Sequence, residues 1–134
     1  MNRQMRVLVA DDDPLTRNLV RAILREAGWA VDTCGDGWEA LAGYDPRRHA
    51  ALVLDNHMAR CSGTDVLRIL RSGGDDVPVV IMSGDCGGGL ALARAELSRV
   101  RFLGKPFEGA ELLDSLVSAM AVQPAGGAVQ GGRP

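Results

Sequence analysis

The chain has 134 residues, enough for one domain that buries an ordinary core without disulfide or metal staples. Apolar residues make up 46% and charged residues 24%, a globular balance that excludes a disordered chain. A net charge of −2 and a pI near 5.6 give no footprint for nucleic acid, and no apolar run reaches membrane-spanning length.

The first short apolar run, MRVLVA at 5–10, leads into the acidic stretch Asp11, Asp12, Asp13. A signal peptide would place a cleavage site there, so a cytoplasmic setting is expected. Asp13 and Pro14 then read as the cap and first residue of a helix that stops at Gly28. Leu15, Leu19, Ile23 and Ala27 share one face of that helix. A second apolar run follows at 29–34, ending in Cys34-Gly35. Asp36 and Glu39 have the spacing of a capping box for a short second helix.

The third run, AALVL at 50–54, and the fourth, VPVVIM at 77–82, are apolar on successive residues, as strands buried on both faces are. Between them Ser62 or Thr64 can cap a third helix that ends at Gly73-Gly74. A fourth helix is expected within SGDCGGGLALARAELSR, where Gly87, Gly88 and Gly89 raise the cost of ordering its start. After the fifth run at 100–103, a last helix over about 108–121 places Leu112, Leu113, Leu116, Val117 and Met120 on a core-facing stripe. From 122 to 134 the composition is that of a flexible tail, so the folded domain is expected to span 1–121. Five strands alternating with five helices predict an α/β fold with an open, doubly wound parallel sheet. Cys34, Cys61 and Cys86 form no CxxC pair and fit reduced thiols, and a zinc site from Cys61, Cys86 and His57 lacks ligand spacing.

Functional groups in such a sheet collect beyond the carboxyl ends of the strands. Those ends deliver Asp11, Asp12 and Asp13, then Asp55, Ser83 and Lys105. Separately, each has a plain reading as a cap, a turn residue or a solvated charge. Together they are a convergence that packing does not require. Clustered carboxylates repel one another unless a cation joins them, and Mg²⁺ accepts carboxylate, water and phosphate oxygens. The set reads as a phosphoryl-handling site in which one carboxylate attacks phosphorus. Lys105 is the single lysine among 15 basic residues. A compact ammonium fits a small phosphoryl pocket where a forked guanidinium would not.

The segments VLVADDDP, LVLDNHMARCSGTDVL, VVIMSGD and FLGKPF, in this order and spacing, resemble the receiver domain of two-component response regulators over about residues 5–121. The resemblance implies a flavodoxin-like sheet of order 2-1-3-4-5. It implies Asp55 as phosphoacceptor, and Asp12, Asp55 and the backbone carbonyl of His57 as ligands of Mg²⁺, or of Mn²⁺ in its place. Asp11 would complete the acidic pair through water. Ser83 would be the switch hydroxyl, Lys105 the partner of the phosphoryl oxygens, and Phe102 the aromatic that turns inward when the site is occupied. The implied partners are a histidine kinase or phosphotransfer protein and a downstream target on the face of the fourth helix, fifth strand and fifth helix. No nucleic-acid or membrane partner is implied, and the chain would be a monomer or a phosphorylation-linked dimer. It would catalyse only its own phosphorylation and dephosphorylation. Its closing segment is also similar to receivers attached to hybrid kinases.

Departures from the pattern bear on these expectations. Ala59 stands where proline is usual, which predicts a looser loop around His57. Phe102 lacks the hydroxyl of the commoner tyrosine. His57 and Asp85 occupy positions that affect loss of the phosphoryl group. Two other classes remain open at this point: a pseudo-receiver acting as a constitutive interaction module, and a phosphatase of another α/β family with Asp55 as nucleophile. The second would want an acid where His57 stands.

Overall fold

The computed structural model describes residues 4–84 and 98–121. Five parallel strands form one sheet in the order β2-β1-β3-β4-β5: Arg6–Ala10 (β1), Ala30–Cys34 (β2), Ala51–Asp55 (β3), Val79–Ser83 (β4) and Val100–Gly104 (β5). Helices Pro14–Glu26 (α1), Gly37–Gly43 (α2), Gly63–Ser72 (α3) and Gly109–Ala121 (α4) cover its two faces. The sheet order agrees with expectation, but the count of five helices does not. The described residues contain four, and the helix expected between β4 and β5 falls on residues 85–97, which lie outside them. The tail from 122 onward also lies outside them.

The pleat sorts the strands into two cores. Val7, Val9, Ala51, Val53, Val80, Met82 and Leu103 pack with Val20 and Leu24 of α1 and Leu112, Leu116 and Ala119 of α4. Leu8, Ala10, Leu52, Leu54, Val79, Ile81 and Val100 pack with Ala40 of α2 and with Val66 and Leu67 of α3. β3 and β4 are buried at every residue, which explains their unbroken apolar runs.

Of the apolar face Leu15, Leu19, Ile23 and Ala27 on α1, only Ile23 packs against the core. Leu15 is 80% and Leu19 55% exposed, whereas Val20 and Leu24 are fully buried and Ile23 is half-buried. Both stripes are apolar at helical spacing, and only contact with the sheet and α4 selects between them. Val117 of α4 likewise points outward, at 61% exposure. The caps agree better. Asp13 accepts from the Leu15 N–H and the Thr16 hydroxyl, and Ser62 forms a reciprocal capping box with Asp65. Asp36 caps Glu39, but Glu39 Oε1 accepts from the Gly35 N–H, one residue before the cap.

A polar belt runs beneath the N-terminal ends of the strands. Asp32 accepts from Arg6 Nη1 at 2.7 Å and lies 2.8 Å from Nε2 of the buried His49. The Asp45 N–H donates to His49 Nδ1 at 3.0 Å, so the ring proton belongs on Nε2, where it meets Asp32. Tyr44 stacks on His49 and donates to Asp75 Oδ2 at 2.8 Å. Arg71 closes the belt by donating to the carbonyls of Asp75, Val77 and Ser98.

Removing His49 leaves Asp32 short of a donor and the Asp45 N–H without its acceptor. His49→Ala is therefore expected to lower unfolding stability in urea by about 2–3 kcal/mol. Burial pulls the Asp32 pKa upward, but the hydrogen bond from His49 and the charges of Arg6 and Arg48 outweigh it and hold it low. A carboxylate depressed in this way stabilises the fold above its unfolded pKa, near pH ~4, and loses that contribution as pH falls through its lower folded value. Asp32→Asn is expected to flatten the acid limb of the stability profile below that pH, measured by urea melts at stepped pH.

Candidate functional site

Strand register assembles the site. Ala10 pairs with Leu54, Asp55 with Met82, and Ser83 with Gly104. The ladder continues past the assigned ends: the Asp11 N–H donates to the Cys34 carbonyl, Asn56 to Met82, and Lys105 to Ser83. Asp11, Asp55 and Lys105 continue the alternation of Val9, Val53 and Leu103, so all three belong to the α1/α4 side of the sheet.

Carboxylate oxygens of Asp11, Asp12 and Asp55 lie within 4.8 Å of one another. Asp11 is fully buried, Asp55 is 3% exposed, and Asp12 opens to solvent. Lys105 Nζ stands 3.0 Å from Asp55 Oδ1 and 3.5 Å from Asp11 Oδ2. Burial raises the Asp11 pKa, and the Asp55 charge adds to the rise, against the opposing Asp13 N–H and Lys105. For Lys105, burial acts downward, but the bond and charge of Asp55, helped by Asp11, outweigh it and raise the pKa. The ammonium therefore stays charged.

The backbone around Asp11 is held from several sides. Its Oδ1 accepts from the Asp13 N–H at 2.9 Å, and its carbonyl accepts from Arg17 Nη1 at 2.9 Å. Its Oδ2, buried, has no hydrogen-bond partner among the described residues. Beside Asp55, Asn56 Oδ1 takes both the Thr64 N–H at 3.0 Å and the Thr64 hydroxyl at 2.6 Å. Gly63 fits closely here: a Cβ would lie 2.9 Å from the Asp55 carbonyl. Sequence reading missed the roles of Arg17, Asn56 and Thr64 at this site, having named Thr64 only as a possible helix cap. Only the nearness of Asn56 to Asp55 hinted at a role.

The remaining candidates are more scattered. Ser83 is buried at the end of β4, next to Lys105 along the ladder. Phe102 is 43% exposed on β5, and His57 is exposed in the β3–α3 loop. Asp13 serves α1 as its cap. Asp85 and Cys86 lie outside the described residues. Burial pushes the Cys34 thiol up to about 11, with the Glu39 and Asp36 charges adding, so it is not a nucleophile at neutral pH.

A buried carboxylate oxygen that the Lys105 ammonium approaches only to 3.5 Å, beside two more carboxylates, matches the hard-oxygen coordination that Mg²⁺ takes. The donor set fits the ion. No helix among the described residues is long and apolar enough to cross a membrane.

Comparison with known proteins agrees with this geometry. The response regulator receiver domain profile matches residues 7–117. Response regulator MprA of Mycobacterium avium (strain 104) is 39% identical over 109 residues, covering 81% of this chain and 48% of that protein. The chain thus spans about half the length of the curated relatives it matches. Among solved structures, the chemotaxis response regulator CheY4 of Vibrio cholerae superposes with a TM-score of 0.76 at 26% identity, covering 87% of this chain and 99% of that one. The receiver domain of sensor histidine kinase PA1611 from Pseudomonas aeruginosa PAO1, solved with magnesium in its active-site cleft, shares the fold at a TM-score of 0.74 and 24% identity, covering 88% of this chain and 98% of that one. The chain belongs to the response regulator receiver domain family, and its Asp11, Asp12 and Asp55 form the carboxylate cluster typical of domains that are phosphorylated on aspartate with Mg²⁺ and catalyse only that self-modification and its reversal.

Proposed function

We propose that this chain is the phosphoacceptor of a two-component or phosphorelay system, with Asp55 as the residue that takes the phosphoryl group. The observation that carries the assignment is Lys105 Nζ at 3.0 Å from Asp55 Oδ1, within a group of three carboxylates. Asp55 sits nearly buried at a strand end, where its Oδ1 is held by the ammonium.

In the transfer an Asp55 oxygen attacks the phosphorus of a phosphohistidine on a kinase or phosphotransfer protein. The P–O bond forms as the P–N bond breaks, and the imidazole leaves and takes up a proton from solvent. Lys105 then follows the equatorial oxygens, while Ser83 donates its hydroxyl to one of them. Asp12, Asp55 and the His57 carbonyl, with Asp11 completing the acidic pair, would hold Mg²⁺, which would supply charge neutralisation for the phosphoryl oxygens. Hydrolysis ends the signal: water attacks phosphorus, inorganic phosphate departs and the Asp55 carboxylate is restored.

For output, Ser83 moves toward the phosphoryl group and Phe102 turns into the space it leaves. Support for this reading comes from the outward Phe102 on β5. β5 and α4, where Phe102 and Val117 are exposed, then present the altered face to a downstream protein. The neighbouring helix expected in that face lies outside the described residues. The signalling unit extends to about residue 121, and the output of any longer protein passes through this face.

Incubation with Mg²⁺ and a small phosphodonor is expected to give an acid-stable, base-labile adduct on Asp55 by mass spectrometry, absent in Asp55→Asn and after chelation of the metal. A folded, Mg²⁺-binding protein that forms no adduct would instead be a constitutive interaction module. Lys105→Arg is expected to keep the fold but lower adduct formation by about tenfold or more, since the fork cannot replace a point charge in this pocket. Hydrogen exchange across β5 is expected to change when a phosphoryl mimic is added; unchanged protection there would rule out the Phe102 switch.

A further inference from the structure

The β3–α3 loop, residues 56–62, carries the His57 carbonyl used by the proposed metal site. Its first residue is anchored by the Asn56–Thr64 bonds. In its middle the Cys61 N–H donates to the Ala59 carbonyl at 2.8 Å, while Ala59 leaves the backbone before it unrestricted. Arg60 adopts a φ of +72°, in the left-handed region that few residues other than glycine, asparagine and aspartate occupy. From there its guanidinium reaches across to α2 and pairs with Asp36 Oδ2.

Asp36 is the N-cap of α2, and its Oδ1 accepts from the Glu39 N–H at 2.9 Å. One carboxylate is thus shared between the helix start and the loop. The bond from Arg60 is the leading cause of its lowered pKa. Next to this pair the two segments touch through backbone. A Cβ on Gly37 would fall 2.2 Å from the Cys61 carbonyl oxygen and 2.6 Å from Cys61 Cβ, so α2 and the loop approach as closely as glycine allows. Met58 and Cys61 turn their side chains inward, at 8% and 2% exposure.

The Arg60 side chain is 62% exposed, and an ion pair of this kind adds little to global stability. Its effect is on where the loop lies. We infer that Arg60 is a positioning residue whose pairing with Asp36 fixes the β3–α3 loop, and with it the His57 carbonyl, for divalent-metal binding. This rests on the receiver reading of the site.

Two variants separate the pairing from other roles. Arg60→Asn tolerates the left-handed backbone while removing the guanidinium. Asp36→Ser keeps a helix cap but cannot span the gap to Arg60. Each is expected to retain the wild-type urea midpoint yet bind Mg²⁺ about tenfold more weakly by calorimetry, the lower end of what loss of an outer partner costs. The double variant is expected to lose no more than either single one. In the metal-free protein, amide exchange at residues 57–61 is expected to quicken in both, and Arg60→Lys to recover most of the lost affinity. Wild-type affinity and wild-type exchange in both variants would overturn the inference, as would fully additive losses in the double variant. A wild-type protein that fails to bind Mg²⁺ would count against the receiver reading alone, and exchange at 57–61 would still decide the role of Arg60.

Discussion

Carboxylates forced together at the end of a parallel sheet are the constraint on which the rest of this molecule depends. Two like charges about 4 Å apart repel by ~1 kcal/mol in water and by ~4 kcal/mol at the effective dielectric of a protein surface. Asp11, Asp12 and Asp55 meet at that range, and the one ammonium of Lys105 balances only part of their charge. The upward shift at Asp11, and an Asp11 Oδ2 that the ammonium approaches only to 3.5 Å, are local signs of the remainder. A divalent cation relieves the repulsion, and the combined charge can then hold a phosphoryl group. The chemistry follows from an electrostatic deficit that the fold itself creates.

What keeps that deficit from dispersing is the sheet. Parallel register fixes Asp11 beside the Asp55 strand and Lys105 beside Ser83, and backbone bonds carry the ladder beyond the strands to the functional residues themselves. Loops would relax away from such repulsion, but residues tied to the ladder cannot. The stabilising polar belt sits at the other end, where His49, Tyr44, Asp75 and Arg71 join the entries to the strands. Binding groups and stabilising groups are therefore separated by the length of a strand.

The sheet and the site were legible to different depths. β3 and β4 announced themselves because strands covered on both faces need unbroken apolar runs. Asp55 and Lys105 were legible because a strand end fixes where the next side chain goes. The orientation of α1 was not. Leu15 and Leu19 compete with Val20 and Leu24 for the core at the same period, and periodicity cannot rank them. Arg17, Thr64 and Arg60 were illegible for another reason: each acts on a residue distant in sequence or through a loop conformation that local composition does not specify. The looseness expected from Ala59 also looks different once Arg60 is seen bound to Asp36. The helix count failed because the expected fourth helix rested on residues 85–97 alone.

Arg71 gives β5 a mechanical character. Its guanidinium holds the Ser98 carbonyl at 2.6 Å, just before β5 begins, while the far end of the strand delivers Lys105 to Asp55. β5 thus has a fixed foot and a working tip, with Phe102 between them. The switch proposed for Phe102 would therefore begin at the tip, while the base stays held at Ser98. The hold on that base comes from a side chain on α3, a strand's length away from the carboxylates.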